Sequence, residues 1–403
     1  MSGKSDFEHA CFGMIGLGLI GGSIAKALRN TYPECTIYAF NPSQDTLELA
    51  AEEGVINRGF QKIGPEFRDC GYVFLCAPVA DNAANIAAVA PYLSPDAILT
   101  DIGSTKQDIH DHIRSFEGGR LAPQFIGGHP MTGSERTRYR NSRASLLENA
   151  YYILTPEEEV PAEKTEEFRT LIASLKAIPL VLDCSRHDYA VAAISHLPHV
   201  ISASLVNLVR TSDGEDGLLK LIAAGGFRDL TRISSSSPVM WQQICLTNRD
   251  NILSLLEQYI GVLTDFAGKI SGGDAAELYD FFANARMYRD SFITGPSGPI
   301  RKVYSLYVDI ADRPGVIADV ATILAQHGVN IKNLGITHNR EYQEGVLRVE
   351  LPDAASADLA VRTLQDGGYT VHPAAGHTSS IAEGISDLVR QHRSEETGKE
   401  RHS

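Results

Sequence analysis

The sequence predicts an α/β chain in three folded parts: a doubly wound parallel sheet, an all-helical middle, and a small C-terminal βαββαβ unit. Three observations carry this expectation. The short apolar run Ala10 to Ile15 leads directly into a glycine-rich turn and a helical pattern, and short buried strands then alternate with helices. Strand signals fade between His187 and Ile293, where apolar residues recur at helical spacing. Strand alternation resumes after Thr294 to Pro299, a linker by its glycine and proline content. The expected boundaries are 8–185, 186–296 and 302–374, with a polar tail over 375–403.

The first part begins as a strand, a turn and a helix. Gly16-Leu17-Gly18-Leu19-Ile20-Gly21 follows the apolar run, and Ile24 to Leu28 continues as a helix. Gly16 suits the tight turn, Gly18 lets a pyrophosphate approach the backbone, and Gly21 allows close helix–strand packing. Leu19 and Ile20 open the helix whose N-terminus favours that anion. This is the Rossmann-type dinucleotide fingerprint, specific because of its position between strand and helix. A second strand, Thr36 to Phe40, ends at Asn41 where an acid would read the ribose hydroxyls; Asp45 follows four residues on. No arginine follows immediately to hold a 2′-phosphate, so NAD is preferred and NADP stays open.

Further strands are expected at Tyr72 to Ala77, Ala97 to Asp101, Tyr151 to Leu154 and Leu180 to Leu182. Ligands of doubly wound sheets lie at the carboxyl ends of the strands. The segments to inspect are therefore Ala77-Pro78-Val79, Gly103-Ser104-Thr105-Lys106 and Gly127-Gly128-His129-Pro130-Met131, each leaving a strand. Ser104 also suits a helix N-cap.

In the helical middle, Ser195-His196-Leu197-Pro198-His199 puts two imidazoles and a proline in an apolar stretch. Pro198 cannot donate to Ile194, so the helix is expected to kink or to restart with Ser195 as N-cap. His196 and His199 would then share one face, either as satisfied core residues or as a site. Arg228 and Arg232 lie in the glycine-led segment 225–232, facing solvent or holding a planar carboxylate through paired hydrogen bonds. Such a helical part closes a cleft, dimerises the chain, or does both.

The third part reads as a strand over Val303 to Ile310, the turn Asp312-Arg313-Pro314-Gly315 and a helix over Val316 to His327. Strands at Val329 to Thr337 and Gly345 to Leu351, a helix over Asp358 to Gln365 and a strand at Tyr369 to His372 follow.

The 403 residues are 43% hydrophobic and 21% charged, ordinary for a globular protein. A net charge of -14 without a basic cluster excludes nucleic acid as the main partner. The six cysteines form no CxxC pair or His-containing cluster, which argues against zinc and a disulfide framework. Met1 to Ala10 is polar, no apolar run approaches 18 residues, and a cytoplasmic protein without a membrane partner is expected.

The order of motifs resembles the TyrA-type prephenate/arogenate dehydrogenases that carry a C-terminal ACT domain, from Gly16 to about His372. The matching motifs are GlyLeuGlyLeuIleGlyGlySer at 16–23, AspIleGlySerThrLys at 101–106, GlyGlyHisProMetThrGlySerGlu at 127–135, SerHisLeuProHis at 195–199 and GlyPheArgAspLeuThrArgIle at 226–233. AspArgProGlyVal at 312–316 and GlyValAsnIle at 328–331 look like the ACT signature, within a ferredoxin-like unit.

The resemblance implies oxidative decarboxylation of prephenate to 4-hydroxyphenylpyruvate, or of arogenate to tyrosine, with hydride passing to NAD(P). His129 would be the base for the substrate hydroxyl, Ser104 would hydrogen-bond that hydroxyl near the nicotinamide, and His196 would contact substrate. Arg232 would hold the ring carboxylate, with Arg228, Ser134 and Glu135 as weaker substrate-binding candidates. Ala77 and Pro78 join the glycine loop and Asn41 as cofactor contacts. No metal is needed, since loss of carbon dioxide makes the ring aromatic. A homodimer with tyrosine feedback through residues 302–372 is implied as well. Another hydroxy-acid dehydrogenase and an inactive nucleotide-binding sensor are the competing readings.

Overall fold

The computed structural model describes residues 7–133, 137–294, 304–311, 313–337 and 345–373. The chain divides into two compact units between Asp280 and Phe281. The first unit begins β1 (Cys11–Ile15), α1 (Leu19–Thr31), β2 (Thr36–Phe40), α2 (Gln44–Glu52), β3 (Arg58–Phe60), β4 (Tyr72–Leu75), α3 (Asn82–Val89), β5 (Ile98–Asp101) and α4 (Gln107–Ser115). It continues through β6 (Ile126–Pro130), β7 (Tyr151–Pro156), α5 (Ala162–Ser174) and β8 (Ile178–Val181). Helices follow: α6 (Cys184–Val191), α7 (Leu197–Ser212), α8 (Leu218–Ile222), α9 (Gly225–Thr231), α10 (Pro238–Thr247), α11 (Arg249–Gly272) and α12 (Ala275–Thr294), the last running across the division.

Five parallel strands form a sheet in the order β3-β2-β1-β4-β5. Alternation along each strand supplies apolar side chains to both faces. Phe12 and Met14 of β1 pack with Tyr72 and Phe74 of β4 and with Ile24 and Leu28 of α1. Ile15, Val73 and Leu75 point the other way, into a cluster with Ile86, Val89, Ile109 and Ile113. A sheet covered on both faces reads as continuous apolar runs, which is why these strands are legible. The edge strand β3 is short and largely exposed, and gave no such run.

A parallel bridge between Leu99 and Phe125 leads from β5 to a three-stranded sheet, β6-β7-β8. Here the uniformly parallel expectation needs correction, because β7 runs antiparallel to β6. Gly127 to Pro130 also form β6 itself instead of leaving a strand. A Cβ on Gly128 would come within 2.5 Å of the Asp101 carbonyl oxygen, so glycine is what lets this segment lie against β5.

The helix through Pro198 does not restart at Ser195. A π turn, Ala192–His196, joins α6 to α7, and the Leu197 N–H bonds the Ala192 carbonyl five residues back. The wider turn absorbs the donor that proline lacks, and both Ser195 and Pro198 stay within a continuous helical stretch. That stretch, Cys184–Ser212, is long and apolar enough to cross a membrane by length and composition. Buried His187, Asp188 and His196 on it are, however, committed to hydrogen bonds inside the unit.

The second unit contains β9 (Tyr304–Asp309), α13 (Val316–Gln326), β10 (Asn333–Thr337), β11 (Val346–Leu351), α14 (Ala354–Asp366) and β12 (Val371–Pro373). Its antiparallel sheet has the order β10-β11-β9-β12. Leu306, Val308, Leu347 and Val349 bury one face against Val320, Leu324, Ala360 and Leu364 of the two helices. This is the expected βαββαβ arrangement. The polar tail over 375–403 and Asp312 lie outside the described residues.

Candidate active site

The turn after β1 lines a cavity of about 810 Å³ at the carboxyl ends of the strands. Gly16 adopts φ 106°, and a Cβ there would meet the Ala77 backbone nitrogen at 2.8 Å. Gly18 faces open space. The first turn of α1 has no side-chain cap and no acidic residue, so its N–H groups suit a phosphate. Gly16, Gly18, Asn41, Ala77 and Pro78 line this cavity. Gly21 acts behind it, since a Cβ there would clash with Gly16 O and Cys76 Cβ at 2.5 and 2.7 Å. Leu19 and Ile20 open α1 without lining the cavity. Asn41 Oδ1 accepts from the Leu17 N–H at 3.1 Å, tying β2 to the glycine turn. Arg138 and Arg140 line the same cavity, arginines that the segment after β2 does not supply.

A second cavity of about 470 Å³ gathers Ser104, His129, His196, His199, Arg232 and Trp241. Ser104 follows β5, His129 lies in β6, His196 ends the π turn, His199 lies in the first turn of α7, and Arg232 begins a 3₁₀ turn after α9. Ser202 of α7 holds that turn, with its hydroxyl bonded to Ser234 Oγ at 2.7 Å and donating to Leu230 O at 3.1 Å. The Thr105 and Thr247 hydroxyls, 3.0 Å apart, tie the Ser104 loop to α10. Asp101 Oδ2 accepts from the Gly103 N–H at 2.8 Å and Oδ1 accepts from the Gly128 N–H at 3.1 Å, so one carboxylate positions the segments bearing Ser104 and His129. Its charge is balanced by the Lys106 ammonium, fully buried against Asp101. Burial lowers the Lys106 pKa, opposed by Asp101.

The two cavity-facing histidines have different neighbours. His129 Nδ1 lies 2.8 Å from His187 Nε2, and His187 Nδ1 lies 2.7 Å from Asp188 Oδ1. Asp188 also accepts from the Lys106 and Gln107 N–H groups, both at 2.8 Å. His196 Nδ1 lies 3.1 Å from Asn248 Nδ2. That nitrogen is fixed as the amide donor, because it also bonds the Asp188 carbonyl oxygen at 2.8 Å. His196 therefore accepts at Nδ1 and carries its proton on Nε2. Burial holds both rings neutral: His129 lies well below the usual imidazole pKa, helped by His187, Lys106 and His196, and His196 is pushed down to about 4.

Several expectations change. Ser104 does not cap α4; the N–H groups of Lys106 and Gln107 are satisfied by Asp188 from another helix. Arg232 reaches the cavity, while Arg228 is exposed and does not line it. His199 lines the cavity with His196 and stacks on Trp241 at 3.7 Å. Ser134 and Glu135 lie outside the described residues. Sequence reading missed His187, Asp188, Asn248 and Ser202. The adjacent His187-Asp188 pair was an available signal; nothing local marked Asn248 or Ser202. Among the described residues no group of three His, Cys, Asp or Glu side chains is arranged to hold a metal.

Family models match in chain order: prephenate dehydrogenase, nucleotide-binding domain, over residues 24–180; prephenate dehydrogenase, dimerization domain, over 183–284; and ACT domain over 304–366. The chain is 36% identical over 337 residues to a prephenate dehydrogenase of Bacillus subtilis, covering 83% of this chain and 90% of that protein. The fold is similar to a Synechocystis arogenate dehydrogenase, with TM-score 0.63 and 30% identity, over 70% of this chain and 100% of that one. It is also similar to the prephenate dehydrogenase of Aquifex aeolicus solved with hydroxyphenyl propionate and NAD+, with TM-score 0.66 and 27% identity, over 70% and 98%. The chain belongs to the prephenate dehydrogenase family, in a form that carries an ACT domain.

Proposed function

We propose that this oxidoreductase converts prephenate to 4-hydroxyphenylpyruvate with NAD as hydride acceptor. The observation that carries the reading is the convergence of Ser104, His129, His196 and Arg232, from separate segments, on one cavity. The open space at Gly18 and the uncapped start of α1 fit a dinucleotide pyrophosphate. A bound nicotinamide would supply the hydride-accepting carbon. The chain's own groups do the rest. Ser104 orients the substrate hydroxyl, and neutral His129 takes its proton as hydride leaves the same carbon. Arg232 anchors the ring carboxylate until it departs as carbon dioxide. His196 offers a neutral N–H donor to a substrate oxygen.

The test is reduction of NAD or NADP by purified protein with prephenate or arogenate. Reduction with prephenate and NAD supports the proposal; no reduction in any of the four combinations overturns it. Arogenate is the second reading, favoured by the likeness to the Synechocystis enzyme. Arg138 and Arg140 make NADP a fair competitor, because guanidinium groups suit a 2′-phosphate.

The proposed unit carries out its work as a cytoplasmic homodimer, with parts at 8–185, 186–296 and 302–374. Leu208, Leu221, Ile222, Leu246, Ile260 and Ile270 are exposed apolar side chains on the helical part, which suits a face covered by a second subunit. Tyrosine is the proposed effector of the ACT domain, at a cavity of about 980 Å³ lined by Arg313, Gly315, Val316 and Ile336.

A further inference from the structure

We propose that Asp188 and His187 form a one-way hydrogen-bond relay that fixes the tautomer of His129 and takes up the charge it acquires in turnover. This rests on the reading of His129 as the proton acceptor. The direction of the relay follows from what each atom can do. A carboxylate only accepts, so the contact of 2.7 Å between Asp188 Oδ1 and His187 Nδ1 requires the proton on His187 Nδ1. In a resting enzyme with His187 uncharged, its Nε2 is bare and can only accept. The contact of 2.8 Å to His129 therefore requires the proton on His129 Nδ1. His129 Nε2 is left bare, and it is the ring nitrogen available to the cavity that His129 lines. A base needs that form; the opposite tautomer would present a donor to the substrate hydroxyl.

The anchor of the relay is rigid. Asp188 is buried and receives two backbone N–H groups at the start of α4 besides the imidazole. Three hydrogen-bond contacts thus fix its position beside His187. When the substrate O–H bond breaks, its proton forms a bond to His129 Nε2. The Nδ1–H proton can then cross to His187 Nε2, so that the cation ends next to Asp188 and His129 is again neutral. The electron pair of the broken O–H bond stays on oxygen and forms the carbonyl as hydride leaves carbon for the oxidised cofactor. Charged and titratable groups around His129 are Lys106 before α4, Asp101 of β5, His187 and Asp188 of α6, and His196 of the π turn. Burial, with His187, Lys106 and His196 nearby, disfavours a cation on His129 itself. Moving the charge to His187, against Asp188, relieves this.

Two measurements test the relay on the full-length protein. Nitrogen NMR of ¹⁵N-histidine-labelled wild type, with His129→Asn for assignment, should give His129 as the Nδ1–H tautomer; an Nε2–H tautomer overturns the proposal whatever the activity. His187→Gln keeps an acceptor for His129 Nδ1–H but cannot take a proton. It should bind cofactor normally, leave the KM for prephenate within about twofold, lower kcat tenfold or more and move the acid limb of kcat/KM to lower pH, because the proton loses its place beside Asp188. Asp188→Asn should shift the limb in the same direction. A folded His187→Gln with wild-type kcat and pH profile overturns the relay. Should the wild type not use prephenate, the functional reading fails while the tautomer result still stands by itself.

Discussion

His129 and His196 face one cavity, both buried and both neutral, yet they offer it opposite chemistry. Behind His129 stands an imidazole backed by a carboxylate, and behind His196 stands an amide nitrogen. In the proposed relay the first arrangement leaves a lone pair toward the cavity, and the second leaves an N–H. The difference teaches that a histidine's role is set by the atom at its far nitrogen, which is not next to it in sequence. Under the proposed function the acceptor side of the cavity governs the rate of the chemical step and the donor side, with Arg232, governs binding.

The largest test of that division is His129→Asn, which removes the proposed base. Turnover should fall about 10² or more with cofactor affinity nearly unchanged; unchanged turnover would remove His129 from the chemistry. Next is Arg232→Ala. Loss of a charged hydrogen bond is worth about 1.5 to 3 kcal/mol, so the prephenate KM should rise roughly tenfold to a hundredfold. A normal KM would mean the carboxylate is held elsewhere.

His196→Gln should raise KM by about two- to tenfold, the scale of one neutral hydrogen bond, with kcat falling less than in His129→Asn. Equal loss of kcat in the two variants would erase the contrast. Asn248→Asp sharpens it: an acceptor at that position forces the His196 proton to Nδ1 and raises its pKa. Substrate binding should weaken and become pH-dependent near neutrality, read from KM across pH 5.5 to 8.

The smallest effect concerns pH. Because burial keeps His129 below the usual imidazole pKa, kcat/KM should stay flat as pH falls through 6.5 and decline only further down. A half-drop at or above pH 6.5 would indicate an ordinary exposed imidazole. Stability carries the same sign. Below pH 6.5 the unfolded chain binds protons that folded His129 and His196 refuse, so unfolding becomes easier as pH falls toward their folded values. Thermal melts from pH 7.5 to 5 check this.

Legibility in the sequence tracks how local each constraint is. Gly16 and Gly18 were readable because a turn of positive φ and a bare backbone leave a mark within a few residues. The alternating buried strands were readable because both faces of the sheet are covered. Pro198 announced a disturbance, but a break and a π turn satisfy the same missing donor, and only the packed helix chose the latter. Residue type alone did not separate Arg228 from Arg232, and only the family resemblance favoured Arg232; Ser202, holding the turn after α9, accompanies the outcome in which Arg232 reaches the cavity.

By itself the sequence determined the order of parts, the nucleotide turn and the identity of the groups that could do the chemistry, since these depend on spacing and residue type. Tertiary structure decided which of those groups meet, that His187 and Asn248 stand behind the two imidazoles, and thereby which one accepts and which one donates. Proton positions follow from contacts between α6, β6 and α11 with its preceding Asn248, and no local pattern encodes a contact across that distance.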